Sequence, residues 1–276
     1  MLTPTEVRRL LRDHGLAPRK AAGQNFVVDP NTVRRIVAAA HLDPADTVLE
    51  VGPGLGSLTL GLADAAARVV AVEIDAGMVA ALAEVLAGRD DVEVVHADAL
   101  QSDLGALVDG GPARLVANLP YNTATPIVMR ALADPAVRDL FVMVQREVGE
   151  RWCARPGDTL HAGVSLKVAL QADAEVVLPI PRTVFHPVPN VDSVMVRLTR
   201  RDDAPTEPDR GRILALVDAA FAQRRKTLRN NLRGLVAADH LEAAAAEAGI
   251  DLGVRAETLD VAAVRRLDTA LEATRR

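Results

Sequence analysis

The chain has almost no aromatic residues: four Phe, one Trp and one Tyr among 276 residues. Its core must be built from Ala, Val and Leu, so an aromatic in a polar, turn-like setting needs a reason other than bulk packing. Cysteine is scarcer still. Cys153 stands alone, which excludes a disulfide framework or a Cys-based metal cluster within one chain; beside Trp152 it reads as packing. Of the 32 basic residues only Lys20, Lys167 and Lys226 are lysine, a bias that a GC-rich genome produces. No run approaches the ~20 apolar residues of a membrane span. The start, "MLTPTEVRRLLRDHG", is charged and amphipathic and lacks an apolar signal core. A soluble cytoplasmic protein without membrane association is expected. The net charge of −5 argues against a chain-wide phosphate-binding surface but leaves room for a local basic patch.

What is present is an alternation. "TPTEVRRLLRDHG" reads as a capped helix, started by Thr3 or Thr5 and stopped by Gly15. "APRKAAGQNFVVDP" is loop-like, and helical spacing resumes over 31–40. "DTVLEV", "RVVAVEI", "VEVVHAD", "ARLVANLP" and "LFVMVQ" read as five strands. Helical segments, "SLTLGLADAA", "AGMVAALAEVLAG" and "TPIVMRALAD" among them, are interleaved. Such alternation predicts a parallel sheet covered on both faces. "AEVVLPI" and "SVMVRLTR" look like a later pair of edge strands. "RRDDAPTEPD" suits a linker, and only helical patterns follow, over 211–222, 223–236, 239–248 and 259–274. The expected division is 1–201 for the α/β domain and 209–276 for a small all-helical one.

In "VLEVGPGLGSLTL" a buried strand runs into Gly52-x-Gly54-x-Gly56 and then a helix. Glycines there permit a tight turn and let backbone N–H groups approach a ligand. The spacing departs from the dinucleotide G-x-G-x-x-G fingerprint. The next strand ends at Glu73, about twenty residues on, where a carboxylate can take both hydroxyls of a ribose. The third strand ends at Asp98. Taken singly these are a generic turn and two solvated carboxylates. Together, on three successive strand ends, they point to a ligand with an adenosine part. Nothing resembles a P-loop lysine.

The only tyrosine lies in "NLPYN", Asn118 to Asn122, at the end of the fourth strand. The segment resembles the Asn-Leu-Pro-Tyr motif of S-adenosylmethionine-dependent methyltransferases that act on adenine N6. The chemistry explains the residue types. An exocyclic amine is a poor nucleophile because its lone pair is delocalised into the ring. An Asn oxygen and a backbone carbonyl can hold its two N–H groups and favour the pyramidal form. Proline stiffens the turn, and a tyrosine ring can stack on an extruded base. With "GQNFVVDP" (23–30), "MVQREV", "FHPVPNVDS" (185–193) and "FAQRRKTLRN", the chain resembles the bacterial small-subunit rRNA adenine dimethyltransferases, the KsgA/RsmA family, from about residue 5 to about residue 270.

That resemblance implies a Rossmann-like class I methyltransferase domain with a small C-terminal helical domain, S-adenosylmethionine as methyl donor and no metal. It implies that Asn25 and Val27 border the cofactor and that Gly52, in a turn shared with Gly54, faces its methionine part. Glu73 would hold the ribose and Asp98 the adenine. Asn118, with the Leu119 and Pro120 backbone, would hold the target amine; Tyr121 would stack on the base and Phe185 close its other face. The family places two methyls on each of two adjacent adenosines near the 3′ end of 16S rRNA, late in small-subunit assembly, so the implied partner is the pre-30S particle. Nothing demands more than a monomer.

The chain departs from the family at "GDTLHAGVSL", where His161 and Ala162 stand in place of a Tyr-Gly pair. Lineage-wide loss of aromatics accounts for it; so does altered RNA handling near the site, or a paralogue with a different rRNA target. His161 and His186 lack the spacing of metal ligands. "FAQRRKTLRNNLRG" carries Arg224, Arg225, Lys226, Arg229 and Arg233 with no acidic residue. Arg225, Arg229 and Arg233 would share one helix face, and the patch suits rRNA phosphates. Arg8, Arg9, Arg12, Arg19 and Lys20 form a more diluted second cluster. Two alternatives stay open: a large-subunit (23S) rRNA adenine methyltransferase of the macrolide-resistance type, and a ribosome-assembly or transcription factor without catalysis.

Overall fold

A computed structural model describes residues 1–18 and 23–274; Arg19 and Lys20 of the second basic cluster lie outside the described residues. The chain clusters into two compact units, Met1–Gly149 with Glu175–Arg200, and Glu150–Ala174 with Arg201–Arg276.

The first unit opens with α1 (Pro4–Asp13), capped reciprocally by Thr3 and Glu6. The short strand β1 (Phe26–Val27) and α2 (Pro30–Ala40) follow, the latter capped by Asp29 with Pro30 in its first turn, which suits a residue lacking the N–H a helix start cannot use. Then come β2 (Thr47–Val51), α3 (Ser57–Ala63), β3 (Arg68–Glu73), α4 (Ala76–Val85), β4 (Val92–His96), α5 (Leu104–Leu107), β5 (Ala113–Asn118), α6 (Ala124–Ala131) and β6 (Val137–Gln145). After α7 (Arg146–Cys153) and α8 (Gly163–Ala169), β7 (Ala172–Ile180), β8 (Phe185–His186) and β9 (Ser193–Arg200) complete the strands. The sheet order is β4-β3-β2-β5-β6-β9-β7. The first five strands run parallel and β9 is antiparallel to β6. The order turns at β2, flanked by β3 and β5. In open α/β sheets such a switch point opens a crevice beyond the carboxyl ends of the strands. One face of the sheet packs Val48, Val69, Val116 and Met143 against Val33, Ile36, Leu58 and Leu62.

Arginine also serves this fold. Arg200 donates to the carbonyls of Leu132, Asp134 and Val137 at 2.6–2.8 Å. Arg114 reaches those of Ala40 and His41 at 2.9 and 2.7 Å. A planar fork of donors satisfies the carbonyls orphaned at a helix end and complements its dipole, here Leu132 at the end of α6 and Ala40 and His41 at the end of α2; Arg200 also ties in the turn from Asp134 to the start of β6. Composition gave no sign of which arginines were structural.

The second unit is built on α9 (Asp209–Ala220), α10 (Leu228–Leu232), α11 (Ala238–Ala248) and α12 (Val261–Ala273). Two expectations are corrected here. The chain passes into the second unit at Arg201, but the assignment of all of 1–201 to the α/β domain fails: Glu150–Ala174 belong to the second unit, where Leu166 of α8 and its C-cap Leu170 are buried in the same core as Leu216, Leu228, Leu241 and Leu267. The helix over 223–236 is absent. Residues 221–227 are turns and α10 has five residues. The Leu228 and Arg229 N–H groups go to the Val254 and Leu252 carbonyls, 2.8 and 3.0 Å away, instead of to a preceding helical turn. Arg225 therefore precedes α10 and Arg233 is its C-cap, so Arg225, Arg229 and Arg233 share no helix face.

Among the described residues no helix is long and apolar enough to cross a membrane.

Candidate active site

A cleft of about 310 Å³ opens beyond the carboxyl ends of β2, β3, β4 and β5. β2 delivers Gly52, Gly54 and Gly56, all at positive φ, which glycine adopts without penalty. A Cβ on Gly54 would stand 2.8 Å from the Phe26 ring, so that turn is closed to any other residue. β3 ends at Glu73, 5 % exposed. Its carboxylate accepts the Gly54 N–H at 3.1 Å and the Asp75 N–H at 3.0 Å. Burial pushes the Glu73 carboxyl up, while those two N–H groups and that of Ile74 hold it down. Asp98, just past β4, accepts from the Leu100 N–H and the Gln101 amide at 2.9 and 2.7 Å. Each carboxylate keeps lone pairs for a further donor.

β5 ends at Asn118. Its Nδ2 donates to the Asn25 carbonyl at 2.9 Å. The Leu119 N–H bonds to the Met143 carbonyl at 3.1 Å, and the Thr123 N–H closes a turn on the Pro120 carbonyl at 3.1 Å. The Leu119 carbonyl is thus the better backbone acceptor for an amine. Tyr121 is half-buried and its hydroxyl pairs with Ser193 at 2.8 Å; burial pushes the phenol up. Asn25, Val27, Gly52, Gly54, Glu73, Asp98, Asn118, Leu119 and Pro120 all line the one cleft.

Phe185 does not fit its expected place. Its backbone pairs with Val27 and its side chain is 2 % exposed in the sheet core, so the ring has no free face for a base. The sequence pattern did not single out Glu50, two residues before Gly52. It lines the cleft at 1 % exposure with Oε2 unpartnered. Burial pushes its carboxyl up to about 8, and the Glu73 charge adds to this. An acid inside the apolar run "VLEV" was the available signal. Ser57 Oγ, also buried on the cleft wall, has no partner among the described residues.

In the second unit, Arg229 pairs with Glu242, and Arg224 lies 3.9 Å from Glu257 with a bond to the Thr159 carbonyl. The basic segment is thus not free of counter-charge in space. Arg225, Lys226 and Arg233 are exposed. His161 is 4 % exposed, bonds through Nδ1 to the Glu257 carbonyl at 3.1 Å and meets Phe221 edge-on at 5.9 Å. It is a packed core residue of that unit. Burial pulls its pKa down.

The glycine cradle, the unpartnered polar atoms Glu50 Oε2 and Ser57 Oγ, and the two strand-end carboxylates fit a nucleoside joined to a short charged arm. With Asn118, Leu119 and Pro120 of the Asn-Leu-Pro-Tyr segment lining the cleft beside Gly52, they define a class I S-adenosylmethionine-dependent methyltransferase. Comparison with known proteins narrows the class. The family model described as "Ribosomal RNA adenine dimethylase" matches residues 15–272, and the chain belongs to that family. It is 50 % identical over 274 residues to "Ribosomal RNA small subunit methyltransferase A" of Thermobifida fusca, covering 97 % of this chain and 95 % of the relative. The protein of the same name from Kineococcus radiotolerans is 49 % identical, with 97 % and 90 % covered. Among solved structures, the 23S rRNA methyltransferase ErmE is 30 % identical with a TM-score of 0.68, covering 90 % of this chain and all of that one. A dimethyladenosine transferase from Plasmodium falciparum shares the fold at 24 % identity and a TM-score of 0.73, with 90 % and 98 % covered.

Proposed function

We propose that this rRNA adenine dimethyltransferase places two methyls on N6 of each of two adjacent adenosines near the 3′ end of small-subunit rRNA. The substrate is the pre-30S particle, met in the cytoplasm by a monomer. The observation that carries the site reading is the Asn118 amide on the cleft wall, one residue from a backbone carbonyl suited to the same amine. The small-subunit target is supported by the two relatives at 49–50 % identity.

Asn118 Oδ1 and the Leu119 carbonyl accept the two N–H bonds of the target amine and turn its lone pair into the cleft. Glu73 holds the ribose hydroxyls and Asp98 the adenine, with Asn25, Val27, Gly52 and Gly54 lining the remaining wall. When bound, S-adenosylmethionine supplies a methyl on a sulfonium. Asn118 and Leu119 would present the amine nitrogen to that methyl, and the proton that the amine then sheds would pass to solvent. No strong base is needed first, because the two acceptors already disfavour the planar, conjugated amine. Tyr121, fixed through its hydroxyl to Ser193, offers its ring to the extruded base. Arg225, Lys226 and Arg233 contact rRNA phosphates, with Arg224 and Arg229 sharing their charge between RNA and glutamate.

The test offers labelled S-adenosylmethionine with small and large subunits that lack these methyls. Label recovered as dimethyladenosine in the small subunit is expected. Label in the large subunit would move the chain to the activity named for ErmE. Subunit binding without label would leave an assembly factor.

A further inference from the structure

An asparagine amide can face an amine in two ways, and only one is useful. With Oδ1 toward the target it accepts an N–H; turned over, it presents two more donors to a donor. Oxygen and NH₂ are nearly isosteric, so packing alone cannot choose. The choice needs a neighbour that tells donor from acceptor. Asn118 has one: its Nδ2 donates to the backbone carbonyl of Asn25 at 2.9 Å. A carbonyl only accepts, so it takes the NH₂ edge and leaves Oδ1 to the cleft.

The Asn25 carbonyl is itself held from several sides. The Asn25 side chain donates to the Gly23 carbonyl at 3.1 Å. Phe26 and Val27 pair with His186 and Phe185, and the Val28 N–H bonds to the Val184 carbonyl at 2.9 Å. Gly23 lies against the loop that carries Asn118 and Tyr121. Its φ is +69°, and a Cβ there would meet the Tyr121 nitrogen at 3.0 Å and the Tyr121 Cβ at 3.3 Å. Both neighbours are backbone or the root of a side chain and have little room to yield.

We propose that the Gly23–Asn25 backbone is a positioning element that sets the orientation of the Asn118 amide, so that this segment governs methyl transfer and not cofactor binding alone. The inference rests on the reading of Asn118 as the holder of the target amine.

The experiment compares full-length Gly23→Ala with wild type on small subunits lacking the methyls. Cofactor affinity is measured by calorimetry and methyl transfer in single turnovers at saturating cofactor. The added methyl would press on the Tyr121 backbone, and the 23–25 backbone is expected to shift and carry the Asn25 carbonyl from Asn118. Misplacement on this scale is expected to slow the single-turnover rate about 10- to 100-fold, with subunit binding unchanged. Recovery of the wild-type rate at saturating cofactor would overturn the proposal, since the segment would then serve only cofactor binding. Should Gly23→Ala fail to fold, the α-hydroxy acid analogue of phenylalanine (3-phenyllactic acid) at position 26 replaces the Asn25–Phe26 amide with an ester, which removes the N–H at 26 and weakens the Asn25 carbonyl as an acceptor. The same exchange at Val28, which removes the N–H bonded to Val184 and weakens the Val27 carbonyl but leaves the Asn25 carbonyl an amide, is the control. The ester at 26 is expected to be slower by about threefold to tenfold, the range of one hydrogen bond. Equal rates for the two esters would overturn the proposal. Asn118→Ala is measured alongside. If it keeps its rate, the reading of Asn118 is lost and the inference with it; if it is inactive while the other variants run at wild-type speed, only the inference is lost.

Discussion

The cleft of the first unit and the basic segment of the second were both conspicuous in the sequence, yet only the cleft residues stand together as their pattern implied. Nine of the expected residues line one wall or another of a single cleft. In the basic segment, three cations expected on one helix face have no helix to share, and two of the five face glutamates. The difference is physical. In the cleft, chemistry dictates residue types and the ends of parallel strands dictate where they go. A surface cation is constrained only by neighbours that arrive from elsewhere in the chain, and one sequence displays those poorly.

The comparison predicts a separation of roles, and its largest effect belongs to Asn118. Asn118→Ala removes an acceptor that acts on the developing charge and is expected to lower methyl transfer about 10³-fold, with small-subunit binding intact. Loss of binding in parallel with loss of transfer would show that the cleft and the RNA surface are not separable in this way.

The next effect sharpens the cleft side. Glu50 is buried with a carboxyl pushed up to about 8, while in the unfolded chain it ionises near 4.5. Between those values the folded protein binds the extra proton. Stability without cofactor therefore falls as pH rises from about 4.5 to about 8 and levels off above. Glu50→Gln removes that slope and is expected to be the more stable protein at pH 8, by an amount on the order of a few kcal/mol. Urea midpoints across pH 5 to 9 give the answer. Parallel curves for the two proteins would mean that Glu50 is already ionised in the fold.

Much of this fold was legible because strands such as "VLEV" and "RVVAV" can only be buried strands, with glycine or an acid marking where each ends. Glu73, Asp98 and Asn118 were readable as a set for that reason. Phe185 was not: a phenylalanine beside "HPVP" looks like a rim residue until β8 is seen to pair with β1 and turn the ring into the core. The failed helix at 223–236 has the same origin. The N–H groups of Leu228 and Arg229 are taken by carbonyls some two dozen residues later, and no local pattern announces that. The Asn25–Asn118 bond spans 93 positions and is invisible to any motif.

A smaller effect sharpens the RNA side. Replacing Arg225, Lys226 and Arg233 together by Ala is expected to weaken small-subunit binding about tenfold at moderate salt. The same change should flatten the salt dependence by about one log–log unit for each phosphate that is no longer neutralised. The single-turnover rate at saturating subunit should not change. Arg229→Ala should cost less than Arg233→Ala, because Arg229 already faces Glu242. Equal losses would mean that the ion pair opens when RNA binds.

The smallest effect concerns His161, where a departure from the family's motif could have meant a different substrate. The ring is enclosed in the second unit, bonded to the Glu257 carbonyl and edge-on to Phe221, so it has no surface to offer RNA. Its carboxylate neighbours Asp158 and Glu257 favour the charged form, but burial outweighs them and pulls the pKa below 6.5. The unfolded chain therefore takes up a proton on His161 before the folded one does. This contribution is absent well above pH 6.5 and appears as lost stability once the pH falls below it. His161→Phe, which keeps a ring against Phe221 and cannot be protonated, should reduce the acid sensitivity of unfolding between pH 6.5 and 5 and leave the choice of methylated subunit unchanged. A shift of methylation toward the large subunit in that variant would return this position to the question of substrate and end its reading as a packed core residue.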